Sequence, residues 1–124
     1  MKVTEIAFSA YAVTDIARSR KFYEGVLGLK LTQDHATGGG GHWIEYEIGT
    51  GTLGIGQAEG WKPSPDGCTV ALEVENFDEA VAALKAAETP IKMGPFDTPV
   101  CHMLMVADPD GNTVIIHKRK PGNN

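Results

Sequence analysis

The sequence predicts an α+β fold of two βαβββ modules that form an incomplete barrel around a cavity. Three features carry this: an internal repeat across the 124 residues, a capped amphipathic helix in each half, and three short strands after each helix. With an offset of 61 residues, Val13 falls on Val74, Asp15 on Asn76, Ile16 on Phe77, Ser19 on Ala80 and Tyr23 on Leu84. A four-stranded sheet with one helix leaves a face that no helix covers, so two such units side by side enclose a shared cavity.

In the first module a strand runs up to Val13, and Thr14 or Asp15 caps the helix that follows. Ile16, Phe22, Tyr23, Val26 and Leu27 make its apolar side, and Gly28 ends it. Strands are expected at Leu29–Gln33, His42–Ile48 and Thr52–Gln57, broken by the glycines of 38–41 and by Gly49-Thr50-Gly51. Gly60 to Gly67, with Pro63 and Pro65 inside, reads as a linker. The modules are therefore expected at about 3–59 and 67–118, with a linker of about 60–66, in a single domain of residues 1–124.

In the second module Asn76 caps the helix, Asp78 and Glu79 suit its positive N-terminal end, and Phe77, Ala80, Val81 and Leu84 form its apolar face. Thr89-Pro90 closes it. Strands are expected at Ile91–Met93, His102–Ala107 and Asn112–Lys118. For these a shift of 60 residues sets His42 on His102, Gly51 on Gly111, Ile55 on Ile115 and Gln57 on His117.

Bulk properties exclude several functions. A formal net charge of −5 argues against nucleic acid, which needs a basic face, and the tail cluster His117-Lys118-Arg119-Lys120 is short. No apolar stretch is long enough to cross a bilayer, and Met1-Lys2-Val3-Thr4-Glu5 lacks the apolar core of a signal peptide, so a cytoplasmic location is expected. Cys68 and Cys101 read as free thiols, since they have neither zinc-site nor redox spacing. The Gly38–Gly41 run joins two strands and lacks the helix and the Lys-Ser/Thr end of a phosphate loop. Ser9, Ser19 and Ser64 have no nucleophile-elbow context.

Two motifs are more specific. Asp108-Pro109-Asp110-Gly111-Asn112 is a tight reversal that launches the apolar run Thr113-Val114-Ile115-Ile116. Far upstream, Val13 to Leu29 gives a strand end, a cap, a helix carrying Phe22-Tyr23, and a Leu27-Gly28-Leu29 exit. Together these resemble the vicinal oxygen chelate superfamily, which includes glyoxalase I, extradiol dioxygenases and bleomycin-resistance proteins, from about Thr4 to Lys118. The resemblance implies the glyoxalase/bleomycin resistance fold and a homodimer.

It also implies where metal ligands would stand. In metal-dependent members the first and last strands of each module supply them; here those positions fall on Phe8, Ile55, Thr69 and Ile115. Three of these have no lone-pair donor, and a divalent cation needs three or four imidazole, carboxylate or carbonyl ligands, so no metal and no cofactor is expected. A one-residue slip would turn each side chain to the other face of its strand. At the two-residue period only Gln57 and His117 could ligate; they are read either as a polar pair facing the cavity or as strand-end residues.

Other candidates stay open between cavity and solvent. Trp43, Glu45 and Glu47 share one face of a strand whose other face carries Ile44, Tyr46 and Ile48, so they form either an acidic wall with an aromatic end or a solvated surface. Glu73 shares parity with Thr69 and is read the same two ways. Trp61 in the linker either caps a pocket or packs structurally. His42 and His102 read as surface or dimer-contact residues, and His35 as loop.

The functional expectation is a metal-free small-molecule binder of the bleomycin-resistance kind, conferring antibiotic resistance by sequestration. It would hold an aromatic or cationic ligand among Phe8, Trp43, Ile55, Trp61 and Ile115, with Glu45, Glu47, Gln57, Thr69 or His117 orienting polar groups, and without catalysis. The alternative is a glyoxalase I-like lyase or isomerase, or a dioxygenase-related enzyme, of the same superfamily.

Overall fold

The computed structural model describes Lys2 and residues 4–122. Val3, where the first module is expected to begin, and the other terminal residues of the expected domain, Met1, Asn123 and Asn124, lie outside the described residues. The chain divides into two compact units, Met1–Pro63 and Ser64–Asn124, with the division inside the segment read as linker.

In the first unit β1 (Ser9–Ala12) leads to helix α1 (Ile16–Arg20), a π-helical continuation (Lys21–Val26), then β2 (Leu31–Gly38), β3 (Gly41–Ile48) and β4 (Gly51–Gln57). The Asp15 side chain caps α1 by accepting the Arg18 N–H at 3.1 Å. The wider π turn, closed by Leu27 N–H on the Phe22 carbonyl at 2.9 Å, lets the consecutive aromatics Phe22 and Tyr23 both be buried. Gly28 ends the helix at φ +71, a left-handed conformation that glycine adopts without a Cβ penalty. The sheet order is β1-β4-β3-β2, with β1 parallel to β4.

Strand β2 runs five residues beyond the expected Gln33, so His35 lies in a strand and not in a loop. Residues 32–38 are all exposed, and a strand with little apolar alternation gives periodicity nothing to detect. The core of this unit lies between the sheet and its helix. Tyr23 packs between Tyr11 and Tyr46, with ring centroids 6.3 and 6.1 Å away, and Ile44, Leu53 and Ile55 are fully or almost fully buried beside them. Tyr46 donates its hydroxyl to Glu24 at 2.9 Å, and Glu24 takes Arg20 Nε at 2.6 Å and Nη2 at 3.2 Å. Burial and the bond to Glu24 push the Tyr46 phenol well above its ordinary value.

The second unit repeats the order: β5 (Val70–Glu73), α2 (Phe77–Ala86), β6 (Ile91–Asp97), β7 (Cys101–Ala107) and β8 (Thr113–Arg119), in a sheet ordered β5-β8-β7-β6. Asn76 caps α2 by accepting the Glu79 N–H at 3.1 Å. Leu84, Cys101, Leu104, Val106, Val114 and Ile116 are its buried apolar residues. The chain therefore has the α+β fold of two βαβββ modules, each with an open four-stranded sheet.

The turn before β8 is built on Asp108. Its Oδ1 accepts the N–H groups of Asp110 at 2.9 Å and Asn112 at 2.8 Å, and its Oδ2 accepts Asn112 Nδ2 at 2.9 Å. Asn112 Oδ1 in turn accepts the Ser64 N–H at 3.1 Å. Both side chains are buried, so these bonds replace the water they lose.

Candidate functional site

Each unit presents one sheet face to its helix and leaves the other open. In the first unit the register separates the two faces. Ile44 opposes Ile55 and Tyr46 opposes Leu53 on the core side, while Trp43 opposes Gly56, Glu45 opposes Gly54 and Glu47 opposes Thr52 on the open side.

The open face carries an aromatic surface. The Trp43 indole lies across β4, and a Cβ built on Gly54 would stand 2.6 Å from its Cη2 and Cζ2. At Gly56 an added Cβ would collide with Trp61 Cζ3 and meet Trp43 Cε3 at 3.0 Å. The two glycines thus make the floor on which both indoles rest. Trp43 and Trp61 are stacked at a centroid distance of 6.4 Å, and Phe8 meets Trp43 edge-on at 5.3 Å. Phe8 is 51% exposed and Trp61 40%, so the aromatic surface is open to a ligand.

Glu45 is joined to this surface. Its Oε2 accepts the Trp43 indole N–H at 2.7 Å, which fixes the plane of the ring and places a carboxylate at its rim. Glu47 lies on the same face two residues on, exposed, at the end of β3 away from Trp43. Phe8, Trp43, Glu45 and Trp61 are thus brought together.

Ile55 and Gln57 are not, and the expectation for both is corrected. Ile55 is fully buried on the helix side, opposite Ile44. Gln57 shares its parity and accepts the Ile16 N–H at 3.2 Å, satisfying a donor in the first turn of α1. The cause is a difference in turn length. Four residues separate the paired Glu47 and Thr52, whereas five separate the paired Ala107 and Thr113. The repeat offset therefore grows from 60 in β3/β7 to 61 in β4/β8, so Gly54 is the mate of Ile115, Ile55 of Ile116, and Gly56 of His117. Glycines alternating with Leu53 and Ile55 were the available sequence signal.

In the second unit the core side carries Leu104 opposite Ile116 and Val106 opposite Val114. The open side carries Met103 opposite His117 and Met105 opposite Ile115, with Ala71 and Glu73 alongside on β5 and Thr69 two residues before Ala71. Ile115, His117 and Thr69 thus lie on the open face of this sheet. The His117 Nδ1 is 2.6 Å from Glu73 Oε1, and Glu73 Oε2 accepts the Arg119 N–H at 2.7 Å. Burial pushes the Glu73 carboxyl up, but the Arg119 N–H and the His117 ring outweigh it and hold the group below its ordinary value.

His42 and His102 do not join either open face. His42 pairs with Asp34 on the neighbouring strand, and His102 stacks on Phe77 of α2 at 5.4 Å. Cys68 is exposed and Cys101 buried, both as free thiols.

The residues at the implied metal-ligand positions do not fit a divalent cation. With the register corrected they are Phe8, Gly54, Thr69 and Ile115, of which Thr69 alone has a side-chain donor. Among the described residues no group of three or more His, Cys, Asp or Glu side chains is placed to hold a metal ion. No helix among them is long and apolar enough to cross a membrane.

A profile of the Glyoxalase/Bleomycin resistance protein/Dioxygenase superfamily matches residues 5–116. No curated protein matches the sequence. Among solved structures, the chain is similar to TnmS3, an antibiotic binding protein from Streptomyces sp. CB03234, with 21% identity, a TM-score of 0.77, and 97% of this chain and 99% of that one covered. It is also similar to the trypanothione-dependent glyoxalase I of Leishmania major, with 22% identity, a TM-score of 0.77, and coverage of 94% and 87%. A third is the fosfomycin resistance protein FosX of Listeria monocytogenes, with 13% identity, a TM-score of 0.79, and coverage of 97% of each chain.

Proposed function

The chain belongs to the glyoxalase/bleomycin resistance protein/dioxygenase superfamily, and from that membership we propose that it is a metal-free small-molecule-binding protein of the antibiotic-sequestering kind. The observation that carries this reading is the Phe8, Trp43 and Trp61 surface resting on Gly54 and Gly56, with the Glu45 carboxylate at its rim. Two near-parallel indoles offer aromatic surface to a planar ring system, and the ring faces together with Glu45 favour a positive charge on it. The ligand is thus a planar aromatic cation, stacked on Trp43 and Trp61, with Glu47 farther along the strand drawing it in.

The donor-poor set Phe8, Gly54, Thr69 and Ile115 supports the absence of a resident divalent metal from this function. The protein works as one domain spanning residues 1–124, as a homodimer in the cytoplasm, with neither nucleic acid nor membrane as partner. Similarity to an antibiotic binding protein across nearly the whole chain accords with this reading.

Tryptophan fluorescence tests it, since both tryptophans lie in the proposed contact surface. Titration with a panel of bulky aromatic cations is expected to quench emission, and Trp61→Ala is expected to weaken binding without unfolding the protein. Failure of every compound to perturb emission, with stoichiometric Ni, Zn, Fe or Mn in the purified protein and turnover of methylglyoxal–glutathione adduct or catechol, overturns it. That outcome would establish the second reading, a lyase, isomerase or dioxygenase-related enzyme of the superfamily. The feature favouring it is the His117–Glu73 pair, in which a carboxylate orients an imidazole on an open face.

A further inference from the structure

The chain has four methionines, and three of them, Met93, Met103 and Met105, lie on strands of the second unit. The register gathers them. Met93 of β6 opposes Met105 of β7, and Met103 of β7 opposes His117 of β8. Opposed residues share a face, and Met103 and Met105 share it through the two-residue period, so all four side chains rise from one patch. That patch is on the open side, because the alternating residues Leu104, Val106, Val114 and Ile116 are buried. Met93 is 54% exposed, and Met103 and Met105 are half-buried. Met93 and Met105 also line one groove of about 460 Å³ together with Asp66, Thr69, Lys92 and Thr113.

The imidazole beside them is already oriented. Glu73 holds His117 through Nδ1 at 2.6 Å, and Glu73 is itself fixed by the Arg119 N–H at 2.7 Å. With its proton on Nδ1 and donated to a carboxylate, the ring presents the Nε2 lone pair, the arrangement that metal-ligating histidines adopt. Three thioethers and one imidazole form a soft donor set. Thioether sulfur is a poor ligand for Zn(II), Mg(II) or Ca(II) and a good one for Cu(I). The three methionines carry no charge, so they compete poorly for hard cations.

From this juxtaposition we propose that the open face of the second sheet binds one Cu(I) ion through His117 Nε2 and the sulfurs of Met103 and Met105, with Met93 as the fourth donor. Directly opposed Cβ atoms are about 4.5–5.5 Å apart and diagonal ones within reach of long side chains, so the unbranched Met103 and Met105 can close on an ion held by His117, while Met93, opposed to Met105 and two strands from His117, completes the set from the far side. All four donors belong to the second unit, and the small-molecule binding proposed for the first unit requires no metal.

The test uses the full chain carrying Cys68→Ser and Cys101→Ala, which removes thiol binding, with the fold checked by circular dichroism. Cu(I) is titrated under ascorbate against a chromophoric chelator, and Ag(I), a redox-inert stand-in, is titrated by calorimetry. One equivalent of each is expected to bind, with Zn(II) not competing. Met103→Leu, Met105→Leu and His117→Gln each conserve volume and are expected to weaken binding by tenfold or more. Glu73→Gln is expected to weaken it about tenfold, the usual effect of losing a partner that orients a ligand. Absence of one-equivalent binding overturns the proposal. So does unchanged affinity in the folded Met93→Leu, Met103→Leu, Met105→Leu triple variant, which would make the methionines an adaptable apolar lining only.

Discussion

Trp43 rests on Gly54 so closely that the two positions act as one: a methyl group on Gly54 would stand 2.6 Å from the indole. Gly54→Ala is therefore expected to displace the ring and destabilise the first unit by about 1–3 kcal/mol, the range for overpacking. The checks are the urea midpoint and the tryptophan emission maximum, which should move together. Gly25→Ala, where an added Cβ meets nothing within 4 Å, is the control and should not lower the midpoint.

Ser19 gives the opposite sign. Its hydroxyl is fully buried and has no hydrogen-bond partner. An unsatisfied buried hydroxyl is a cost, and alanine is the better helix former. Ser19→Ala is expected to raise stability by about 1 kcal/mol, read as a higher urea midpoint. A lower midpoint would show that the hydroxyl gains a partner in solution.

Glu24 sets part of the acid limit of stability. The hydrogen bonds from Arg20 hold its carboxyl below the ordinary value, and the Tyr46 hydroxyl adds to them against the opposing effect of burial. Because the folded value is depressed, the stabilisation is fully present above the ordinary carboxylate range and is lost as pH falls through the folded value. Glu24→Gln, neutral throughout, should lower stability at pH 7 and converge on the parent protein as pH falls below that window. Equilibrium unfolding at a series of pH values measures the convergence; a pH-independent gap would rule out ionisation as the source.

The turn before β8 depends on Asn112, whose side chain ties Asp108 to the Ser64 backbone. Asn112→Ala removes the acceptor of the Ser64 N–H and one of the donors to Asp108, at an expected cost of about 2–3 kcal/mol. The far-UV dichroism midpoint is the measurement, and no change would show that water replaces the amide.

The caps were readable because capping is local: Asp15 and Asn76 stand just before helices and accept an N–H three residues on. The division of β3 into two faces was readable too, since Ile44, Tyr46 and Ile48 alternate there with Trp43, Glu45 and Glu47. Ile55 and Gln57 were misplaced because strand parity depends on turn length, and a one-residue difference between the two modules inverts the face. The methionine patch is not legible in the sequence because it is assembled by pairing across three strands. Only the spacing of Met103 and Met105 hinted at it.

The aromatic residues are distributed unequally between the units. All three tyrosines, Tyr11, Tyr23 and Tyr46, are buried beneath the helix of the first unit, and both tryptophans lie on that unit's opposite face. Residues 64–124 contain neither type. Tyrosine and tryptophan absorbance therefore reports the melting of residues 1–63 alone, whereas far-ultraviolet dichroism reports both units. A single coincident transition would make the duplicated modules one cooperative body, and two separated transitions would make them a tandem pair that unfolds in steps.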